Sequence, residues 1–235
     1  MALGIRFAGN AGERGDPVLA VGTSESPGPV EWLQWVQQLQ AIAQTGLAFS
    51  PDPYDRERYE HLRTLAAKIA SQHTEAPFEE IASLFREPSG YATPRLEVRG
   101  AVFDQQDRLL LVREVADANR WTLPGGWVDV GNSPAEAIHR EILEESGYDT
   151  RITKLAAVWD RSRHPYPCGP FACVVMFFLA ELVGGSPTPS LETSESGWFA
   201  AEQWPSDLSL GRVLPQHLER MAVHHRHPEL PTDFD

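Results

Sequence analysis

The spacing of apolar residues changes along this chain, and the change divides it. Trp32, Val36, Leu39 and Ile42 recur at helical intervals, and Gly46 is placed to end that helix. A second helical stripe, Tyr59, Leu62, Ala66 and Ile69, predicts a helix over 54–70, and a short third helix is expected at 78–85. From Leu96 the pattern becomes that of strands: LEVRGAVF alternates, 104–107 reads as a turn, and RLLLVR follows. Ser133-Pro134-Ala135-Glu136 then reads as a helix start, with Ser133 as cap, Pro134 at the first helical position and Glu136 completing a capping box. Gly147 is a natural stop, so this helix should cover 134–146. Further strands are expected at 154–160, 172–182 and 195–199, before a closing helix near 214–223. Strands on both sides of one central helix describe an α/β fold, a mixed sheet between helices. The expected organisation is a loosely ordered tail at 1–28, rich in Gly, Ser and Pro, a small all-α domain at 29–90, and the α/β domain at 91–235.

Composition narrows the partners. With 235 residues and 42% hydrophobic content, the chain can bury a medium core and a smaller one. No apolar run approaches the roughly 18–20 residues needed to span a bilayer, and the start lacks a basic region followed by an apolar stretch, so a cytoplasmic protein is expected. The net charge of −13 argues against an extended nucleic-acid surface. A small anionic ligand escorted by a divalent cation remains compatible. Cys168 and Cys173 are read as free thiols rather than a disulfide or metal pair.

The candidate chemistry sits in the central helix. Glu141, Glu144 and Glu145 stand at i, i+3 and i+4, which confines them to an arc of about 100°. Carboxylates that close repel one another unless a cation lies among them. Oxygen ligands without Cys or His favour Mg²⁺ or Mn²⁺ over zinc. Ile138 and Ile142 fall on an adjacent stripe, which would anchor the helix to a core while the acidic edge faces a cleft.

The run GGWVDVGNSPAEAIHREILEESGY resembles the Nudix box, G-x5-E-x7-R-E-U-x-E-E-x-G-U, with U apolar. Aligned on Gly126, the chain supplies Arg140, Glu141, Ile142, Glu144, Glu145 and Gly147 in register. Asn132 stands where the box has its first Glu, and Tyr148 replaces the usual aliphatic residue. The phrases IAQTGLAF, YDRERYE and GYATPRLEVRGAVF are similar to a Nudix subgroup with a helical leader that acts on X-linked nucleoside diphosphates, including CDP-choline pyrophosphatases. The resemblance implies an α/β/α sandwich and a divalent-metal-dependent pyrophosphatase, with CDP-choline or ADP-ribose favoured as substrate. It also implies a homodimer through the N-terminal helices, in keeping with aromatic surface to spare on the helical stripes.

Roles for individual residues follow from that resemblance. Glu141, Glu144 and Glu145 would hold the metal, joined by a backbone carbonyl of the Gly125-Gly126 turn, while Arg140 would orient a glutamate from behind the metal face. The general base is sought in the later loop, with Glu192 favoured, Glu195 next and Glu145 as an alternative inside the box. For the substrate, Trp159, Arg161 and Arg163 combine stacking surface with positive charge, and Arg99 and Arg113 on strands could point into the same cleft. Two alternatives remain: an RNA-end hydrolase using the same site, and a catalytically silent Nudix module that binds ligand only.

Overall fold

A computed structural model describes residues 31–167, 169, 171–188 and 190–235. The expected tail at 1–28, and Cys168, lie outside the described residues. The described residues form two compact units, one containing those from 31 to Pro94 together with those within 167–172, the other those within 95–166 and 173–235.

The helical unit contains α1 (Glu31–Phe49), α2 (Pro53–Gln72) and α3 (Phe78–Arg86). Val36, Ala66, Ala67, Ala70, Ile81 and Phe85 form its core. Gly46 does not end α1, as its sequence position suggested. A Cβ there would lie 2.4 Å from the Tyr59 ring, so this glycine serves close approach of α1 to α2. Trp35, Ile42 and Phe49, each seven residues from the next, stay more than half exposed and make an apolar row along α1.

The α/β unit begins with β1 (Arg95–Phe103) and β2 (Leu109–Glu114), then the short β3 (Arg120–Thr122). Helix α4 (Pro134–Ser146), β4 (Tyr148–Asp160), β5 (Cys173–Gly185), β6 (Thr193–Phe199), α5 (Pro215–Arg226) and β7 (Asp233–Phe234) follow. The strand order is β3-β2-β1-β5-β4-β7, with β6 also on β2. β1 and β5 run parallel, while β4 is antiparallel to β5, giving the mixed sheet that the pattern predicted. Two strands were not anticipated, β3 and β7, and β4 begins at Tyr148 rather than at 154. β3 and β7 are too short to carry a periodicity.

Alternation along β1 builds both layers. Val98 and Val102 face α4, packing with Ile138, Ile142, Leu110 and Phe178. Ala101 and Phe103 face the opposite side with Leu109, Trp159, Phe177, Leu218 and Met221, which brings α5 onto that face. Gly100 lets α4 approach the sheet, since a Cβ there would sit 2.7 Å from the end of Ile142. The α4 start is capped as its sequence predicts: Ser133 Oγ accepts from the Glu136 N–H at 3.3 Å, and Glu136 accepts from the Ser133 N–H at 2.8 Å. Gly147 closes the helix in the left-handed region with φ 78°.

Candidate active site

The acidic helix meets a glycine turn docked on β1. The Val98 N–H donates to Gly126 O at 2.9 Å, Gly100 N–H to Pro124 O at 2.9 Å, and Val128 N–H to Leu96 O at 3.1 Å. These bonds hold residues 124–128 along the strand edge. Gly125 adopts φ 147°, and an added Cβ would lie 2.0 Å from Val98 O, so only glycine fits. Its N–H donates to Glu145 Oε2 at 2.9 Å. Among the described residues, no backbone donor reaches the Gly125 carbonyl.

The three glutamates are in unlike surroundings. Glu144 is largely exposed, Glu141 is buried, and Glu145 lies between them in exposure. Burial first, then the charges of Glu144 and Glu192, raises the Glu141 carboxyl above the usual range against the pull of Arg140. Glu145 is pushed up to about 8 by burial, with Glu141 and Glu114 adding and Arg99 and the Gly125 N–H opposing. Such protons are displaced by a bound cation. Arg140 spans Glu141 Oε1 at 2.9 Å, Glu144 Oε2 at 3.0 Å and Asp129 Oδ2 at 3.3 Å. Asp129, which the sequence reading passed over, therefore supports Arg140, and Asn132 makes no side-chain bond to it. With Glu141 and Glu144 turned onto Arg140, no group of His, Cys, Asp and Glu among the described residues converges as a ready metal cage. The donor set suits a hard divalent ion by its chemistry: several carboxylates and the Gly125 carbonyl, which no backbone donor reaches among the described residues. At Gly126 a Cβ would press within 3.0 Å of Glu141 Oε2.

The loop before β6 is tied to the end of α4. Thr193 Oγ1 donates to the Glu145 carbonyl at 2.5 Å, Ser190 Oγ accepts from the Glu192 N–H at 3.1 Å, and Val115 N–H donates to Glu192 O at 2.9 Å. Glu192 is exposed and near enough to raise Glu141 electrostatically. Glu195 instead faces Arg113, with Nε at 3.3 Å.

Four residues expected at the substrate are occupied elsewhere, among them Arg161, which pairs with Glu97 at 3.1 Å. Arg99 is fully buried and bound to Glu97, because strand alternation places both on the face carrying Ala101 and Phe103, where an unpaired cation would be costly. Its Nη1 donates to Leu123 O at 3.0 Å. Arg113 donates to Asn119 O at 2.7 Å, pairs with Glu195 and Asp207, and lies over the Trp121 ring. Trp159 is buried among Phe177, His164 and His217. It lines a cavity of about 560 Å³ with Arg220 and Asp233, a pair that neutralises itself and includes none of the acidic cluster. Arg163 is exposed, and Arg161 partly so, on the helical turn that ends β4. Cys173 is free and buried, its thiol pushed up to about 12 by burial and then by Glu97.

An acidic helix docked against a glycine turn, capped by a carboxylate-bearing loop and set in this sandwich, marks a hydrolase of phosphoanhydride bonds. The Nudix domain model matches residues 93–217, and a model described as the UDP-X-like, N-terminal oligomerisation domain matches residues 30–85. This chain belongs to the Nudix family and is a Nudix pyrophosphatase. It is 42% identical over 205 residues to the putative ADP-ribose pyrophosphatase YjhB of Bacillus subtilis (strain 168), covering 87% of this chain and 97% of that one. Among solved structures it resembles a UDP-X diphosphatase, with TM-score 0.55 and 32% identity over 87% of this chain and 98% of the other. It also resembles an ADP-ribose pyrophosphatase of Streptococcus suis 89-1591, with TM-score 0.55, 34% identity, and coverage of 61% of this chain and all of that one.

Proposed function

We propose that the protein is a Mg²⁺- or Mn²⁺-dependent hydrolase of nucleoside diphosphates linked to a second moiety X, with ADP-ribose and CDP-choline as leading substrates. The observation that carries this is the acidic face of α4, whose partly buried Glu145 is held by the N–H of a glycine turn whose carbonyl receives no backbone donor among the described residues. Relatives named for ADP-ribose and UDP-X support the substrate class.

Glu141, Glu144, Glu145 and the Gly125 carbonyl would hold the metal. When bound, a divalent ion neutralises the pyrophosphate and lowers the pKa of water. Arg140 holds Glu141 and Glu144 in place, and the exposure of Glu144 lets it leave Arg140 for a ligand. Glu192, on a loop anchored through Thr193 to α4, accepts the proton of the attacking water. Arg163, exposed on the turn after β4, presents positive charge to the substrate phosphates. The products are a nucleoside monophosphate and phosphorylated X.

The test is incubation with Mg²⁺ or Mn²⁺ and a panel of ADP-ribose, CDP-choline, UDP-sugars, dinucleotides, nucleoside triphosphates and short capped RNA, with products separated by chromatography. Turnover of diphosphate-X compounds that collapses in Glu144→Gln and Glu145→Gln is expected. Absence of turnover, or turnover unchanged in those variants, refutes a metal hydrolase, and a preference for RNA ends refutes the substrate class.

The row Trp35, Ile42 and Phe49, together with the description of the matching N-terminal model, supports a homodimer built through α1.

A further inference from the structure

Two of the arginines expected at the substrate converge on one carboxylate that the sequence reading did not single out. Glu97, 1% exposed, receives Arg99 Nε at 2.8 Å and Nη2 on Oε1, while Arg161 Nη1 reaches Oε2 at 3.1 Å. The Cys173 thiol also points to Oε2, at 3.7 Å. Each arginine then reaches onward. Arg99 Nη1 holds the Leu123 carbonyl, at the entry to the glycine turn. Arg161 Nη2 holds Gly211 O at 2.8 Å, and its guanidinium lies 4.4 Å over the Tyr166 ring, in the segment that follows β4. The Glu97 backbone itself bridges to Trp127, directly after the turn.

We propose that Glu97 is a positioning residue, clamping the metal-side glycine turn through Arg99 and the substrate-side turn through Arg161, so that both are held against one fixed point in the core. This rests on the metal-dependent hydrolase reading above. A buried carboxylate with one partner would satisfy charge balance. Here two arginines share it, and each goes on to hold a different element: Arg99 the Leu123 carbonyl and Arg161 the Gly211 carbonyl. The clamp is rigid because every charged group in it is bonded: both Glu97 oxygens, the Arg99 fork on one side and a carbonyl at each far end. The Arg99 charge also pulls the Glu145 carboxyl down, against the burial that raises it.

The two arms separate experimentally. Mn²⁺ affinity would be measured by electron paramagnetic resonance of the free ion, without substrate, alongside kcat and KM for ADP-ribose and CDP-choline at saturating Mg²⁺. Arg99→Lys keeps the charge but cannot span Glu97 and Leu123 O together, and should weaken Mn²⁺ binding about tenfold with KM little changed. Arg161→Lys should raise KM several-fold and leave Mn²⁺ affinity within twofold. Glu97→Gln should do both, and Glu97→Gln/Arg161→Lys should raise KM no further than Glu97→Gln alone. A Glu97→Gln protein that melts lower yet keeps Mn²⁺ affinity and KM within twofold of wild type overturns the proposal. If Glu97→Gln does not fold, Arg99→Lys with unchanged Mn²⁺ affinity overturns it equally. A wild-type protein that hydrolyses nothing while binding Mn²⁺ refutes the hydrolase reading instead, and the Arg99 arm is then decided by Mn²⁺ affinity alone.

Discussion

Gly125→Ala is the sharpest test of how the glycine turn is held. A methyl group there would lie 2.0 Å from Val98 O and 3.0 Å from the Arg99 Cα, both backbone atoms with no rotamer to change. The φ of 147° adds strain of order 1–3 kcal/mol for a residue with a Cβ. To escape the clash the turn must lift from β1, which stretches the bonds Val98 N–H to Gly126 O and Gly100 N–H to Pro124 O. Each contributes about 1 kcal/mol net, so the total loss is about 3–5 kcal/mol. In a chain of this size that corresponds to a fall in melting temperature of about 10 °C, read by circular dichroism. Gly131→Ala is the control. Its φ of 98° brings strain, but nothing lies within 4 Å of the added methyl, so it should melt only a few degrees below wild type. Lifting the turn also removes the Gly125 N–H from Glu145, and turnover of ADP-ribose should fall on the order of a hundredfold. A Gly125→Ala protein that melts no lower than Gly131→Ala and keeps its turnover would refute the reasoning.

Other outcomes follow from the same geometry. Glu192→Gln should slow kcat on the order of a hundredfold with little change in KM, while Glu195→Gln, whose partner is Arg113, should not; the reverse result reassigns the base. Ser133→Ala removes the α4 cap and should cost about 1 kcal/mol in a urea titration, with an unchanged midpoint contradicting the cap's role. Asp233 is held down at about 2, chiefly by hydrogen bonds from Arg220 and then by His224, with burial opposing. A depressed carboxyl stabilises the fold above its ordinary value and loses that contribution as pH falls through its folded value. Asp233→Asn should therefore flatten the loss of stability between about pH 4 and pH 2, and parallel acid curves for the two proteins would count against it. Trp35→Asp with Ile42→Asp should leave the helical content intact and convert a dimer to monomer in sedimentation velocity, whereas a wild type that sediments as a monomer ends the dimer proposal.

Much of the architecture was legible because each element repeats its signal. α4 carries its cap, its stop and its apolar stripe within its own residues, and its observed span is the one its sequence predicts. α2 and α3 are read from periodicity, and the acidic edge of α4 follows from helical geometry alone. Where the signal was not local, the reading failed. Gly46 looked like a helix end, but its role depends on Tyr59 of the neighbouring helix. β3 and β7 are too short to show alternation and exist through pairing with β2 and β4.

The residues of the site divide the same way. By itself the sequence determined which carboxylates share a surface, that glycine must stand at the turn before them, and which family the chain resembles, because these depend on spacing along the chain. Tertiary structure alone decided what the charges face. Arg99 and Arg161 read as cations seeking phosphate, yet both reach Glu97; Asp129, and not Asn132, meets Arg140; and of Glu192 and Glu195, three residues apart, the first adds its charge to the field at Glu141 while the second pairs with Arg113. The physical reason is that a charge takes its function from the partner within a few ångströms: for Arg161 that partner comes from a distant strand, and for Arg99 it is a neighbour on its own strand that the packing of the sheet buries with it.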